Sequence, residues 1–123
     1  MSLLSRLLGL ASDLTPEQAR NELDGMLLPD ETVQVAFKVV RDLYVFTDRR
    51  LILVDKQGVT GRKAQFLVIP YRAITSYSIE NAGTFDMDSE LKIWVSGRPG
   101  PIEKTLKRGA NIRGIQQAIA ASL

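Results

Sequence analysis

The sequence predicts a mainly β protein, a small antiparallel barrel of about seven strands with helices at both ends of the chain. Short apolar segments separated by tight turns occupy residues 33–107. No long helix separates these segments, so consecutive strands should pair antiparallel instead of through parallel crossovers. The final segment, 111–123, begins with Asn111 as an N-cap and carries its isoleucines on one helical face. That segment is suited to covering an open end of the barrel.

Two short helices are predicted before the strands. Apolar residues in the range Leu3–Ala11 fall at helical spacing and form one stripe. The second helix begins with Thr15 as N-cap and Pro16 at the first helical position, and Gln18 completes a capping box. The pattern predicts a helix over residues 16–27, which Pro29 then ends.

The strands are expected over residues 33–39, 43–47, 51–55, 65–69, 74–81, 90–96 and 102–107. Three apolar stretches, 43–46, 51–54 and 66–69, do not alternate with polar residues, whereas antiparallel sheets with one wet face normally do. One face of these strands fits the barrel interior. The other face needs a cover, supplied either by the N-terminal helices or by another subunit. Residues 1–30 are thus predicted as a helical appendage, and residues 31–123 as the barrel with its capping helix.

Composition excludes several classes of chemistry. The chain has 123 residues, with no His and no Cys. Cys/His zinc sites, thiolate nucleophiles and Ser-His-Asp triads are therefore impossible. Asp86, Asp88 and Glu90 resemble the start of a calcium loop, but Leu91 occupies the position where such a loop needs glycine. We expect no catalytic residues, no metal and no cofactor, and hence a protein that is not an enzyme.

A cytoplasmic location is expected from the distribution of apolar residues. No segment approaches the ~20 consecutive apolar residues of a membrane span. The N-terminal apolar run does not fit a signal peptide, because its only base, Arg6, interrupts the run instead of preceding it.

The two ends of the chain carry opposite charge. Acidic residues dominate over residues 1–31 and basic residues dominate over residues 98–123, which suggests attraction within one subunit or between neighbours. The candidate residues for an electrostatic contact are Glu17, Glu22, Asp24, Lys104, Lys107 and Arg108. No aromatic residue lies between Pro99 and Leu123, so the basic end lacks the stacking groups of nucleic-acid readers and no nucleic acid is expected as a partner.

The middle of the chain resembles the bacterial pleckstrin-homology (PH) domain family. The resemblance runs through residues 37–58, with Thr47-Asp48-Arg49-Arg50-Leu51 similar to the family's strand–turn–strand motif. It continues through residues 69–74, 82–86 and 90–94, and it covers about residues 31–123. It implies a PH-like fold, a seven-stranded bent barrel capped by a C-terminal helix. It further implies a non-enzymatic module that forms homo-oligomeric rings, often pentamers.

One property of eukaryotic PH domains is not carried over. Those that bind phosphoinositides use basic residues in an open loop between the first two strands. Here that connection is the tight turn Val40-Arg41-Asp42, in which one base is offset by one acid. Fold similarity alone does not transfer a binding site.

The resulting hypothesis is a cytoplasmic, self-assembling scaffold or adaptor whose main partner is itself, as a ring with a pentamer as the preferred count; other proteins are further candidate partners. The residues predicted for the contact between subunits are Tyr44, Phe46, Trp94, Leu7 and Leu8. The alternative hypothesis is a peripheral membrane or lipid-associating module. It would use the Leu3–Ala11 stripe and the basic C-terminal face.

Overall fold

The structure, a computed structural model, describes residues 12–81 and 88–123. Two antiparallel sheets, of four and three strands, make up the body of this part of the chain. The first sheet contains, in order, β1 (Val33–Val39), β2 (Asp42–Thr47), β3 (Arg50–Gln57) and β4 (Lys63–Pro70). The second contains β5 (Ile74–Glu80), β6 (Ser89–Val95) and β7 (Ile102–Leu106). Helix α1 spans Pro16–Glu22, helix α2 spans Ile112–Ser122, and a 3-10 turn, Tyr71–Ala73, links the sheets. The predicted mainly β architecture is confirmed.

Helix α1 starts as predicted and ends early. The Thr15 hydroxyl accepts a hydrogen bond from the Gln18 backbone N–H at 3.1 Å, and the Gln18 side chain accepts one from the Thr15 N–H at 2.9 Å. The helix stops at Glu22, so the prediction that it reaches Leu27 is wrong. Gly25 explains the difference, because its φ of 79° lies in the left-handed region, where a right-handed helix cannot continue. The other predicted helix, over residues 3–11, lies outside the described residues.

The interior of the barrel is apolar and α2 closes it. Phe37 is 0% exposed, and its ring meets that of Phe46 edge-to-face with centroids 6.0 Å apart. Ile115 and Ile119 of α2 belong to the same buried cluster, and the Asn111 side chain caps the helix by accepting the Gly114 N–H at 2.9 Å. Leu123 follows Ile119 at helical spacing, which would continue this buried face. It is instead exposed, because the helix ends at Ser122.

The outer face of the four-stranded sheet is covered by the chain's own N-terminal segment. Ala19 and Leu23 form a second buried cluster with the outward-facing residues of β1, β2 and β3. Ala36, on the face of β1 opposite to Val35 and Phe37, is 0% exposed for this reason. The two-sided apolar character of β2 and β3 therefore has an intramolecular explanation, and it does not by itself call for another subunit.

The free edge of β1 is also occupied. The Ser12 hydroxyl accepts the Ala36 N–H at 3.0 Å, and the Asp13 N–H donates to the Ala36 carbonyl at 2.8 Å. The Asp13 carboxylate accepts the Lys38 N–H at 2.9 Å. These bonds satisfy backbone groups that point away from β2, so the segment just before α1 takes the place of a neighbouring strand.

Candidate functional site

The turn between β2 and β3 binds a buried carboxylate. The Glu31 side chain is 0% exposed, and Arg50 donates to it twice, from Nε to Oε2 and from Nη2 to Oε1, both at 2.9 Å. The Thr47 hydroxyl donates to Oε2 at 2.6 Å, and the Leu28 backbone N–H donates to Oε1 at 3.2 Å. A buried carboxylate with this many donors is well compensated for its lost hydration.

The two residues between Thr47 and Arg50, Asp48 and Arg49, bind the neighbours of Glu31 in the chain. The Asp48 carboxylate accepts the Thr32 N–H at 2.9 Å, and the Asp48 N–H donates to the Thr32 carbonyl at 2.9 Å. The Arg49 guanidinium pairs with the Asp30 carboxylate at 2.7 Å. Every residue of the Thr47–Arg50 turn thus contacts the segment 30–32, and this arrangement is hereafter called the Glu31 clamp.

A second stretch that resembles the family, residues 69–74, supports the Thr47–Arg50 turn through Tyr71. The Tyr71 hydroxyl donates to the backbone carbonyls of Thr47 and Arg50. Tyr71 lies in the 69–74 stretch that resembles the family, so two separate matching stretches form one structural unit. Their role in this chain is to fix the N-terminal segment on the barrel. No sequence argument identified Glu31 as the anchor of that segment, and the only sequence signal was an acid two residues before the first strand.

Acid is expected to weaken the Glu31 clamp. The hydrogen bond from Arg50 is the main cause that lowers the pKa of Glu31 from 4.5 to about 2, against the opposing effect of burial. Because the folded pKa is the lower one, the stabilisation is complete above the unfolded value and is lost as the pH falls from 4.5 towards 2. Urea unfolding across that pH window should show a steeper loss of stability for the wild type than for Glu31→Gln, which cannot titrate. Parallel losses would contradict this assignment.

The predicted subunit contact is corrected for two residues. Tyr44 and Phe46 are 3% and 1% exposed and belong to the barrel interior. Their side chains point inward because β2 places them opposite Leu53 and Leu51 of β3, which share the interior cluster. They have no surface to offer a neighbour. Trp94 is 36% exposed, and Leu7 and Leu8 lie outside the described residues.

The predicted charged residues are distributed over several local pairs. Glu22 lies 3.1 Å from Lys56, and Lys107 lies 3.3 Å from Asp88, both within one chain. Asp88 also accepts the Arg108 backbone N–H at 3.1 Å. The remaining predicted residues are Glu17 and Asp24, which are exposed, and Lys104, which is half-buried on β7. The structure therefore does not bring the acidic and basic candidates together as one set within the chain.

An apolar surface remains on β4. Phe66 is 38% exposed, and Leu67 and Val68 are half-buried. In the described part of the chain β4 pairs only with β3, so the backbone groups on its other side face outward. These three residues with the outer edge of β4 are called the β4 surface. The sequence identified this stretch as apolar on both faces, but it could not show that β4 is the last strand of its sheet.

In residues 12–81 and 88–123, no group of three or more acidic residues is placed to hold a metal ion. Asp86, from the candidate calcium loop, lies outside them. No helix in this part of the chain combines the length and apolar character needed to cross a bilayer.

Comparison with known proteins identifies the family. The family model for the bacterial PH domain matches residues 2–123. A Bacillus subtilis protein named YjqA, described as uncharacterized, is 52% identical over 122 residues, which cover 98% of each chain. Another uncharacterized protein from the same organism, YozO, is 28% identical over 82 residues, covering 67% of this chain and 71% of that protein.

Two solved structures share the fold. A PH domain from Shewanella amazonensis is 50% identical, with a TM-score of 0.83 and 98% of each chain covered. A DUF1696 family protein with a PH domain from Shewanella loihica is 47% identical, with a TM-score of 0.74, covering 91% of this chain and 97% of that one. The expectation of a PH-like barrel is therefore confirmed, and the chain belongs to the bacterial PH domain family.

Proposed function

We propose that this protein is a non-enzymatic scaffold module that assembles with copies of itself into a ring, with five subunits as the preferred count. The observation that carries the proposal is the β4 surface. An edge strand with outward-facing backbone groups and apolar side chains is a template for pairing with another chain, and monomeric proteins normally block such edges. β1 is blocked by Ser12 and Asp13, whereas nothing in the described residues blocks β4 in that way.

The reach of the N-terminal segment supports the same conclusion. Ala64 and Val68, towards the two ends of the outward face of β4, pack against the buried cluster to which Ala19 and Leu23 of the N-terminal segment belong. Phe66 lies between them, opposite Val54 in the register, yet it keeps 38% of its surface exposed. The N-terminal segment thus leaves Phe66 incompletely covered, whereas its neighbours on the outward face of β4, Ala64 and Val68, are half-buried. A partner subunit is a suitable group to complete it.

Trp94 provides a second, different surface on the other sheet. It projects from the outer face of β6, beside the polar residues Lys92 and Ser76. Exposed tryptophans are frequent anchors of protein contacts. We infer that the β4 surface of one subunit contacts the Trp94 face of the next. A contact between two unlike surfaces repeats in one direction and closes into a ring when the rotation allows.

A mixing experiment is expected to demonstrate this head-to-tail contact. Light scattering after size exclusion should give one species at a multiple of 13.6 kDa for the wild type, and monomers for Phe66→Asp and for Trp94→Asp. Each variant retains one intact surface. Mixing the two should therefore restore a dimer without larger species.

The control is Val59→Asp, which introduces the same charge at a fully exposed position outside both surfaces and should leave the assembly unchanged. All three variants change exposed side chains, so each should still unfold cooperatively, and the two monomeric variants should lose only the part of the thermal midpoint that assembly contributes. A monomeric wild type would refute self-assembly. An assembling wild type whose two variants fail to form a dimer on mixing would refute the head-to-tail arrangement.

The proposed contact between subunits also includes an electrostatic attraction. Glu17 and Asp24 are exposed on the N-terminal segment, and Lys104 has no ion pair among the described residues. Charges of opposite sign on adjacent subunits attract, and salt of ~1 M screens that attraction almost completely. If neither the assembly state nor the thermal midpoint changes with salt, the electrostatic attraction is refuted and the apolar contact alone is retained.

Membrane association is the second candidate function, and two hairpin tips favour it. Val59, between β3 and β4, is fully exposed, and Val40, between β1 and β2, is 69% exposed. The Arg41 guanidinium donates to the Gly58 carbonyl at 2.7 Å and joins the two tips. Arg62 lies beside them on the same loop. Exposed apolar tips flanked by bases suit an anionic lipid surface.

Flotation with phosphatidylglycerol vesicles at low salt tests this candidate. Wild-type protein should float with the vesicles, and Val59→Asp should remain at the bottom of the gradient. Wild-type protein that does not float would remove the membrane candidate while leaving the assembly proposal untouched.

A further inference from the structure

The segment that covers the outward face of the four-stranded sheet is attached to the barrel in two parts. The Glu31 clamp and a hydrogen bond to the Met26 carbonyl at 3.0 Å hold residues 26–32. Residues 12–23, hereafter called the α1 cover, are held by hydrogen bonds to the edge of β1 and by burial of apolar side chains against the sheet. Asp24 and Gly25 connect the two parts, and both residues are exposed.

This connection has the properties of a hinge. Gly25 has a φ of 79°, and no heavy atom of the described residues, apart from its chain neighbours, lies within 4 Å of the position that a Cβ would take there. The turn is closed by the Leu23 carbonyl, which accepts the Met26 N–H at 2.8 Å. Because glycine adopts left-handed and extended conformations with similar ease, a change of φ at Gly25 would turn α1 away from the barrel.

The α1 cover is a small part of the fold. Helix α1 has seven residues, too few for a helix that is stable by itself, and Ala19 and Leu23 supply the fully buried side chains of the cover. Arg20 adds hydrogen bonds to the Leu28 and Glu31 carbonyls at 2.8 and 3.2 Å. Segments with few buried apolar contacts open at a lower free energy than the whole domain. We therefore expect the α1 cover to open while the barrel stays folded.

An open cover would expose an apolar face to water. The residues of that face that are at most 3% exposed in the closed chain are Ala36, Leu43, Val45, Ile52 and Val54. A second copy of the α1 cover fits this face, because the contacts that hold the cover join it to residues outside the hinge. The bonds of Ser12 and Asp13 to β1 and the 3.1 Å pair between Glu22 and Lys56 can all form between two chains.

We propose that two copies of this protein exchange their α1 covers, so that residues 12–23 of each chain lie on the four-stranded sheet of the other. Asp24 and Gly25 form the hinge, and the Glu31 clamp keeps residues 26–32 on their own barrel. A short linker presents the chain's own cover at an effective concentration in the millimolar range, so exchange requires a comparably high protein concentration. The Trp94 face takes no part, and the exchange does not rest on the proposed head-to-tail contact.

The test combines isotope labelling with cross-linking. Equal amounts of heavy-isotope-labelled and unlabelled wild-type chains are incubated together at ~1 mM and then treated with a carbodiimide, which joins a carboxylate to an amine that it contacts. Glu22 and Lys56, 3.1 Å apart, should be linked between the α1 cover and β3. Mass spectrometry should show labelled peptides linked to unlabelled ones, approaching half of these links on complete exchange. The control pair, Asp88 and Lys107, is 3.3 Å apart within the barrel and should give links of one isotope only.

The hinge is tested with a matched pair of glycine variants. Alanine is disfavoured at the φ of 79° that Gly25 has in the closed chain, whereas an open hinge is free to become extended. Gly25→Ala should therefore shift the equilibrium towards exchange by about tenfold for each hinge. The control is Gly58→Ala, because Gly58 has a φ of 76° and similar open space but lies between β3 and β4. That variant should leave the proportion of mixed links unchanged.

Three results would overturn the exchange. They are wild-type links between Glu22 and Lys56 of one isotope only, mixed links that are equally frequent at Asp88 and Lys107, and equal effects of the two glycine variants. Trp94→Asp, which lacks the head-to-tail contact, should exchange as the wild type does. A failure of the ring therefore leaves the exchange standing, and a failure of the exchange leaves the ring standing.

Discussion

Replacing Arg50 with alanine is expected to destabilise the protein by about 3–5 kcal/mol, because it leaves a buried charge without its partner. The Glu31 side chain is 0% exposed and receives two of its hydrogen bonds from Arg50. The same substitution removes the bond from Arg50 to the Met26 carbonyl at 3.0 Å. Urea denaturation measures the loss. Release of residues 26–32 from the barrel should accompany it, as faster amide exchange in that segment.

The neighbouring residue provides the matched control. Arg49 also pairs with an acid, Asp30, but the two side chains are 42% and 75% exposed. Arg49→Ala should therefore cost about 1 kcal/mol or less. Glu31→Leu combined with Arg50→Met should recover much of the stability lost by Arg50→Ala alone, because no charge is then left unpaired. Equal costs at Arg49 and Arg50 would show that the carboxylate is not buried in solution.

Replacing Ile119 with alanine is expected to cost about 2–5 kcal/mol, because the cavity that it leaves lies where α2 closes the barrel. Ile119 is 1% exposed and belongs to the interior cluster. The control is Leu123→Ala at the end of the same apolar helical face, since Leu123 is 61% exposed. That change should cost about 0.5 kcal/mol or less. Comparable losses at both positions, measured by urea denaturation, would mean that the helix packs farther along its length than the structure indicates.

The sequence was informative where local chemistry decides the structure. The Thr15 and Gln18 capping box and the Asn111 cap both follow from side-chain preferences within a few residues. Strand β1 was predicted at its observed limits, residues 33–39. The end of α1 was misjudged because Pro29 was taken as the stop signal and Gly25 was overlooked.

The β4 surface and the Glu31 clamp were harder to predict, because both depend on which segments of the chain are neighbours in the fold. An apolar residue on a two-sided strand faces either the barrel or its cover, and periodicity does not distinguish the two. Tyr44 and Phe46 were placed on the outside, whereas they line the interior. Phe66, on a strand of the same character, remains accessible because β4 is the last strand of its sheet in the described part of the chain. The anchoring of Glu31 by Thr47 and Arg50 joins residues 16 and 19 positions apart, beyond the reach of any local pattern.

The hydrogen bonds from Ser12 and Asp13 to β1 also limit how copies of this protein can aggregate. A sheet with two open edges can be continued indefinitely, one subunit after another, into a fibre. Here the side of β1 that would receive the next strand already holds Ser12 and Asp13. Growth from β4 of one molecule onto β1 of another is therefore blocked, and strand-to-strand stacking cannot propagate through this sheet. Deleting residues 12–13 would remove that block and should make the protein prone to filament formation by strand pairing.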